Sequence, residues 1–352
     1  MADSSNIIPF TPKNGGKALA FSFGDPEPIL SRDVWDYTGS FIDLSGSYYS
    51  PPVSLQGLAK IMGANPYHSS ILHFKKNMTC KWFMPSSLLN LPNLRAAALD
   101  FAVFDNCYFQ KFTDRFGKVL RLERLPAIAM RRSRDKDKYI KLDTDGDPFN
   151  GSPVSNVEFK TGEVIHIKGS DVRQNIYGVP EYLGGIQAVL LSEDSTLFRR
   201  RYYHNGAHMG YILVTNDAGL DEETAKEIEK KVKQSKGIGN FSSLYINIPR
   251  SNSKEPVQII PVGDIGSKDE YQRIKNTTEQ ELLAMHRMPP VLIGIIPQNG
   301  SAMADPEKTM RVFYELEIAA LQQIFLEIND QIGAEAVKFK EPVWRTETQP
   351  TA

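Results

Sequence analysis

Three aspartates at alternating positions form the residue pattern with the clearest potential for chemistry. Asp143, Asp145 and Asp147 match the first three ligand positions of a calcium-binding loop, in which carboxylate oxygens surround the ion. The rest of that loop differs, because Pro148 holds the position of the usual glycine and Val154 that of the terminal glutamate. We therefore expect an exposed acidic loop, and a metal-dependent nuclease stays as an alternative.

The histidines form no recognisable metal-binding or catalytic motif. Six are scattered along the chain without a His-Glu-x-x-His pair, and His204 and His208, four apart, straddle an Asn-Gly pair where a helix should end. No Ser/His/Asp or Cys/His constellation is identified, and the chain has no Gly-x-x-x-x-Gly-Lys-Ser/Thr loop for nucleotide phosphates. We predict no catalytic residue, no metal and no cofactor, and a protein that is not an enzyme.

Glycines and arginines in the middle of the chain have structural explanations. Gly178 and Gly184 lack the Gly-x-Gly-x-x-Gly spacing of a dinucleotide site, so we interpret them as a turn entering a helix, with close packing at Gly184. Residues 199–201 are three arginines, a run typical of a solvated or interface face of a helix. A phosphate contact is the alternative for this run.

Composition excludes several classes of protein. The 352 residues are 41% hydrophobic and 24% charged, as in an ordinary folded domain. The net charge of −1 argues against stationary, high-affinity DNA binding, which depends on neutralising phosphates with Lys and Arg. Cys80 and Cys107 form no CxxC motif and fit a reducing compartment. The N-terminus lacks a signal-peptide pattern, and no stretch approaches the ~20 apolar residues of a membrane span, so we expect no membrane partner.

The first half predicts a flexible arm followed by an α+β domain. Residues 1–30 are rich in Pro, Gly, Ser and Asn, a composition typical of a mobile segment. Ser54 is a candidate N-cap for the first of three helices. Apolar alternation at 108–112 and 118–125, around an Asp-Arg-Phe-Gly turn, predicts a β-hairpin, and VIHIK at 164–168 predicts a further strand.

The second half predicts long helices around a small inserted module. Helices are expected at 180–204, 268–288 and 306–330, each with a narrow apolar stripe. Because their other faces stay unburied, we expect them to pack on neighbouring copies, and a head-to-tail contact repeated by rotation closes a ring. The module contains a charged helix and three strands, at 221–236, 211–214, 243–248 and 257–261.

The segment between the last two long helices cannot form a good helix. Pro289-Pro290 ends the preceding helix, since proline cannot donate into a helix and restricts the residue before it. Pro306 suits the first turn of the next one. The residues alone favour equally an ordinary inter-helical loop and a loop that projects toward a central axis.

Three stretches carry a resemblance to a known family. They are YGVPEYLGGIQAVLLSEDSTLFRRRYYHNGAHMGYILV at 177–214, NCYFQKFTDRFGKVLRLERLP at 106–126 and ELLAMHRMPPVLIGIIPQNGS at 281–301. Together with the order of elements over 35–332, they resemble the phage portal family, in particular the short portals of P2-like and PBSX-type phages. The resemblance implies an α+β portal fold with an α/β wing, long stem helices, a small α/β clip, a tunnel loop and a short helical crown.

The resemblance also implies boundaries for these parts. Since little chain follows residue 332, we do not expect a long crown inside the head. The parts are, in chain order, a flexible N-terminal arm (1–30), the wing (31–179), the first stem helix (180–206), the clip (207–267), the second stem helix (268–288), the tunnel loop (289–305), a crown-proximal helix (306–332) and a C-terminal tail (333–352).

Assembly and partners are implied by the resemblance in the same way. Portal subunits form a ring at one capsid vertex, through which DNA is packaged and ejected. The resemblance therefore implies a homo-oligomer of twelve subunits at the portal vertex of the virion, assembled in the host bacterial cytoplasm. The implied partners are double-stranded DNA in transit, the terminase large subunit, a head-completion or neck adaptor, and the major capsid and scaffold proteins.

Two sets of residues are expected to make these contacts. A DNA conduit should bind the backbone weakly, because each neutralised phosphate adds affinity, and a loop tip without Lys or Arg suits a sliding contact. A capsid assembly adaptor without a DNA channel remains an alternative to the portal. The expected DNA-facing residues of the tunnel loop are Ile295, Ile296, Pro297, Gln298, Asn299, Gly300 and Ser301, and the clip residues expected to face terminase and neck proteins are Glu223, Glu227, Lys230, Lys233 and Tyr245.

Overall fold

Two units make up the chain in the computed structural model. One contains Met1–Leu30 and Leu191–Asn276, and the other contains Ser31–Leu190 and Thr277–Ala352. The structure describes residues 7–10, 18–21, 40–43, 46–135, 137–142, 156–204, 211–215, 244–247, 257–261, 268–295 and 305–344.

The elements are numbered here in chain order. The described helices are α1 (Leu55–Ala64), α2 (Pro66–Cys80), α3 (Leu91–Phe104), α4 (Ile186–His204), α5 (Lys268–Met285), α6 (Pro306–Phe313) and α7 (Ala319–Ile332), and a π-helical turn (Tyr314–Ile318) joins α6 to α7. The described strands are β1 (Ile7–Phe10), β2 (Ala18–Phe21), β3 (Tyr48–Tyr49), β4 (Asn106–Thr113), β5 (Val119–Leu125), β6 (Met130–Ser133), β7 (Tyr139–Lys141), β8 (Val157–Phe159), β9 (Val164–Lys168), β10 (Tyr211–Thr215), β11 (Leu244–Asn247) and β12 (Val257–Pro261).

A five-stranded sheet with the order β1-β2-β11-β10-β12 lies in the first unit, together with the described helical residues 191–204 and 268–276. The three strands expected in the inserted module are confirmed, with β10 parallel to β11 and antiparallel to β12. The expectation of a flexible arm at 1–30 is wrong for residues 7–10 and 18–21, which form β1 and β2. Strand β2 pairs with β11 and places Phe21 opposite Tyr245. Short apolar runs within a Pro- and Gly-rich segment form these strands. The helix expected at 221–236 lies outside the described residues.

Asparagine and serine side chains fix the first helices of the second unit. Ser54 caps α1 as expected, since its Oγ accepts a hydrogen bond from the amide of Gly57 at 3.1 Å. Asn65 then caps α2, accepting from the amides of Tyr67 and His68 through one side-chain oxygen. An Asn-Pro pair therefore ends one helix and begins the next without a loop between them.

The main core lies between α3, α7 and a three-stranded sheet with the order β5-β4-β9. The predicted hairpin is confirmed as β4 and β5, and VIHIK forms β9. Phe101 on α3 meets Phe325 on α7 edge to face, with ring centroids 5.8 Å apart. A second sheet has the order β3-β6-β7-β8, and its strands β6 and β7 flank a charged stretch of the sequence.

Residues after α7 return along the second unit. Gly333 ends α7 with a φ of 64°, and the Asn329 side chain accepts from the amides of Ala336 and Val337. The amide of Met84 then donates to the carbonyl of Lys338 at 2.8 Å. The described part of the C-terminal tail, up to residue 344, is therefore packed against the body of this unit.

Candidate functional site

The predicted contact residues fall mostly outside the described part of the chain. This applies to Ile296, Pro297, Gln298, Asn299, Gly300 and Ser301 of the loop, and to Glu223, Glu227, Lys230 and Lys233 of the module. Tyr245 lies on β11, opposite Leu213 of β10. Ile295 is partly buried and packs against a core cluster, so its side chain is anchored at the base of the loop. The described site is therefore the base from which the 289–305 segment leaves and to which it returns.

The helix before this segment ends earlier than its prolines suggest. We expected α5 to reach residue 288, and it stops at Met285. The amide of Met288 donates to the carbonyl of Leu283 at 2.9 Å, and the amide of Arg287 to that of Ala284 at 3.0 Å. These are the two bonds of a Schellman motif, which needs a left-handed residue, here Arg287 with a φ of 51°.

A second left-handed residue redirects the chain just beyond. Pro290–Ile293 forms a single 3-10 turn, and Gly294 ends it with a φ of 80°. The amide of Ile295 donates back to the carbonyl of Pro290 at 3.1 Å. The first residues of the predicted loop are thus folded onto the end of α5.

A side-chain cap fixes the far end of the segment. Pro306 begins α6 as expected, and the Asp305 carboxylate accepts from the amides of Glu307 at 2.9 Å and Lys308 at 3.4 Å. An acidic N-cap also matches the positive end of the helix dipole. Both flanks of residues 296–304 are therefore held by hydrogen bonds, from backbone amide to carbonyl at the first flank and from backbone amides to the Asp305 carboxylate at the second.

A shared apolar cluster joins the two flanks to α2. Its buried members come from the ends of α5 and α6, from the π turn and from α2, so they cannot separate without exposing core surface. We call this cluster the loop platform. Its buried residues are Ile71, Met78, Leu283, Met288, Phe313 and Ile318, and Leu292, Ile293, Ile295 and Met310 pack against them.

Four charged side chains form a chain of ion pairs beside the platform. The Arg287 guanidinium contacts Glu317 at 3.0 Å and Glu181 at 2.7 Å, and Lys75 contacts the other carboxylate oxygen of Glu317 at 3.3 Å. Hydrogen bonding to Glu317 raises the pKa of Arg287, and burial lowers that of Lys75. None of these four residues was predicted from the sequence. Glu181 and Arg287 lie next to predicted helix ends, whereas Lys75 and Glu317 lie inside helices and had no such signal.

The start of α4 and the end of α5 approach each other closely. A Cβ added at Gly185, just before α4, would lie 2.6 Å from the Met285 sulfur and 2.7 Å from its Cβ. We expected the close packing at Gly184, and this is wrong, because a Cβ there would meet nothing within 4 Å. The Gly-Gly pair also extends a 3-10 turn over Glu181–Gly185, so that α4 begins at Ile186 rather than at Pro180.

A cleft of about 410 Å³ opens beside the ion pairs. Asp105, which ends α3 with a φ of 55°, lies in its wall, and burial raises the pKa of its carboxyl to about 8. Gly169 and Gly178 approach this residue so closely that a Cβ at either position would overlap it. The lining combines both charges with apolar surface, including Lys75, Lys168, Glu181, Arg287, Glu317 and Phe325.

Neither a metal site nor a membrane-spanning helix is found in the part of the chain that the structure describes. Among the described residues, no group of three or more His, Cys, Asp or Glu side chains could hold a metal ion. Asp143, Asp145 and Asp147 lie outside that part. Within it, no helix combines the length and apolar character that crossing a membrane requires.

Comparison with known proteins identifies the family. The family model described as phage portal protein matches residues 93–342. The probable portal protein of Escherichia phage P2 is 37% identical over 328 residues, covering 93% of this chain and 92% of that protein.

Two solved structures share the fold. An HK97 family phage portal protein from Corynebacterium diphtheriae is 12% identical, with a TM-score of 0.54 over 80% of this chain and 94% of that one. A chain from the neck of a native gene transfer agent particle, computed with C12 symmetry, is 15% identical, with a TM-score of 0.53 over 83% of this chain and 85% of that one. The α+β portal fold implied by the sequence is confirmed, and this chain belongs to the phage portal protein family.

Proposed function

We propose that this chain is the subunit of a ring at one capsid vertex, through which phage DNA is packaged and later ejected. Membership of the portal family supports this role. The twelvefold ring is supported by the C12 symmetry of the gene transfer agent neck that contains a chain of this fold. The role is structural and requires no catalytic group. The subunit would occupy the portal vertex of the virion after assembly in the host cytoplasm.

The parts of the subunit follow the order of its elements. We assign the wing to 31–179, the first stem helix to 180–206, the clip to 207–267, the second stem helix to 268–288 and the crown-proximal helix to 306–332. The clip assignment is supported by three strands, β10, β11 and β12, that pair with one another and lie between α4 and α5 in the chain. In this arrangement the terminase large subunit and the neck adaptor dock on the clip, and the major capsid and scaffold proteins are further partners of the ring.

The anchoring of the 289–305 segment is the observation that most favours a DNA channel. Schellman bonds and a 3-10 turn fix its start, an Asp305 cap fixes its end, and the loop platform supports both. A flexible connection between two helices would not need to be anchored in this way at both ends. We propose that residues 296–301 face DNA in the ring, with Ile295 as the anchored residue that supports them.

End-on particle imaging combined with a solution mass measurement tests this function. We expect a closed ring with a central channel, and a mass that corresponds to twelve subunits. A monodisperse monomer at micromolar concentration under several salt conditions would contradict the proposal. A ring without a central hole would favour an assembly adaptor, and divalent-metal-dependent cleavage of DNA by the purified protein would favour a nuclease.

A further inference from the structure

Two local departures from regular helix geometry meet at one ion pair. Arg287, with a φ of 51°, is one of two described residues other than glycine with a positive φ. Glu317 lies in the π-helical turn that separates α6 from α7. The guanidinium of the first contacts the carboxylate of the second at 3.0 Å. Departures of this kind cost free energy relative to a regular helix. They are therefore found mostly where a functional position requires them.

Arg287 occupies a position where glycine is strongly preferred. A left-handed residue after a helix is usually glycine, because a Cβ crowds the following carbonyl. The backbone motif would therefore form more readily with glycine. What arginine adds is its side chain, which reaches Glu317 and also Glu181 in the turn before α4.

The π turn gives Glu317 a sheltered position. It places the buried Ile318 five positions after the buried Phe313, one position more than the i to i+4 spacing of a regular α-helix. Beside Ile318, the Glu317 side chain is only 13% exposed, and Lys75 holds its second oxygen at 3.3 Å. A carboxylate shielded in this way holds a cation more firmly than an exposed one does.

We propose that Arg287 is a positioning residue for the DNA-facing loop. Its pair with Glu317 joins the residue two places before the loop to the helix after it, and so sets the separation of the loop's two ends. The contact with Glu181 extends this constraint to the start of α4. The assignment of the loop to DNA rests on the proposed function, whereas the mechanical constraint stands on the contacts alone.

Substitutions at position 287 separate the effect of the strained backbone from the effect of the ion pairs. Arg287→Gly removes the ion pairs and relieves the left-handed backbone, whereas Arg287→Ala removes the ion pairs and keeps the strain. Arg287→Lys keeps the charge, and Glu317→Gln removes the partner's charge at constant shape. Arg311→Ala is the matched control, since it deletes an exposed pair with Glu315 that lies within one helical segment.

Amide hydrogen exchange in the assembled protein, read at Ile295 and Thr309, is the measurement. These amides donate to Pro290 and Asp305 and report on the two ends of the loop. We expect exchange roughly three- to tenfold faster in Arg287→Gly, Arg287→Ala and Glu317→Gln, with Arg287→Lys intermediate. Arg311→Ala should match the wild type. The melting temperature of Arg287→Gly should equal or exceed that of Arg287→Ala.

Two outcomes separate this inference from the proposed function. Exchange at both amides that is unchanged in Arg287→Gly and Glu317→Gln would overturn the positioning role, whatever the ring does. Faster exchange without any change in the rate of DNA packaging would support the positioning role and contradict the assignment of the loop to DNA. A lower melting temperature in Arg287→Gly than in Arg287→Ala would show a general structural role and also overturn the inference.

Discussion

Nδ1 of His68 lies 2.8 Å from Nε2 of His286, so two buried imidazoles connect α2 to the residue after α5. Their rings stack with centroids 5.0 Å apart, and Tyr182 meets His68 edge to face at 4.8 Å. Burial lowers the pKa of His68 to about 4, and burial together with the charges of His68 and Lys75 lowers that of His286 to about 2. The pair is therefore neutral near pH 7, with one ring donating to the other.

Acid should destabilise the fold through this pair. The unfolded histidines take up protons below their ordinary pKa of 6.5, and the folded His68 does so only near 4. The stabilisation is complete above pH 6.5 and is lost as pH falls toward 4, by roughly 2 kcal/mol per histidine at pH 5. Denaturant unfolding at pH 5 and 7.5 measures this, and His68→Gln/His286→Gln should show a smaller difference between the two. Equal differences would exclude the pair as the source.

The buried carboxyl of Asp105 should make stability depend on pH in the opposite direction. Its folded pKa is raised to about 8, first by burial and then by the charge of Glu181. The unfolded carboxyl ionises near 3.8, so its contribution to stability falls as pH rises from about 4 to 8. Asp105→Asn keeps the shape, tolerates the left-handed backbone and has no proton to lose. We expect unfolding free energy at pH 8 to rise by on the order of 2–4 kcal/mol, with little change at pH 4. A loss of stability at pH 8 would contradict the raised pKa.

Adjacent glycines should respond very differently to alanine. At Gly185 the new methyl group would meet Met285 at 2.6 Å, whereas at Gly184 it would enter open space. Gly185→Ala must therefore shift the start of α4 away from the end of α5, at a cost of about 1–3 kcal/mol. Gly184→Ala should be neutral or slightly stabilising. Thermal unfolding of the two variants measures this contrast, and equal melting temperatures would contradict the close approach.

Local signals predicted much of this structure from the sequence. Ser54 caps α1 as its position indicated, and the predicted hairpin appears with its Asp-Arg-Phe-Gly turn. The apolar face expected on the last helix is buried at Ile318, Phe325 and Ile328. In each case the determining interactions lie within a few residues of one another, which is the range over which sequence patterns operate.

The features that were not predicted from the sequence depend mainly on contacts between residues that are distant in sequence. Arg287 ends α5 through a motif whose usual marker is glycine, and the ion pair to Glu317 has no local signature. Phe21 lies in a segment of loop-like composition. Its strand, β2, pairs with β11, in which Tyr245 lies far along the chain from Phe21. The site shows the same limit, because the helix start at Pro306 was predicted from a local pattern, whereas the ion pair between Arg287 and Glu317 was not.

Charge reversal in the clip should separate docking from ring assembly. The proposed docking residues Glu227 and Lys230 belong to an acidic and basic run in a module between two long helices. Glu227→Lys with Lys230→Glu should leave the ring intact and reduce DNA packaging, because complementary charges steer a docking partner. Glu335→Lys with Lys338→Glu reverses another exposed pair and serves as control. Wild-type packaging after replacement of all the clip charges would contradict the assignment.

Lysines in the loop should change how DNA moves through the ring. Gln298 and Asn299 lie in a segment without Lys or Arg, between flanks that are both anchored. In the proposed ring, each substitution would be repeated in every subunit around the DNA channel. Gln298→Lys/Asn299→Lys should add phosphate contacts in every subunit, slow packaging and make it more salt-sensitive. Each added contact contributes about 0.9 to the slope of log affinity against log salt concentration.

The measurement for the loop is the packaged DNA length and rate in a reconstituted terminase assay across salt concentrations. Gln298→Ala/Asn299→Ala is the matched control, because it removes the same amide groups without adding charge. We expect the alanine variant to keep the wild-type salt profile and the lysine variant to recover speed as salt rises, since salt screens the new contacts. Wild-type rates with an unchanged salt profile in the lysine variant, from a ring shown to be correctly assembled, would remove this loop from the DNA path.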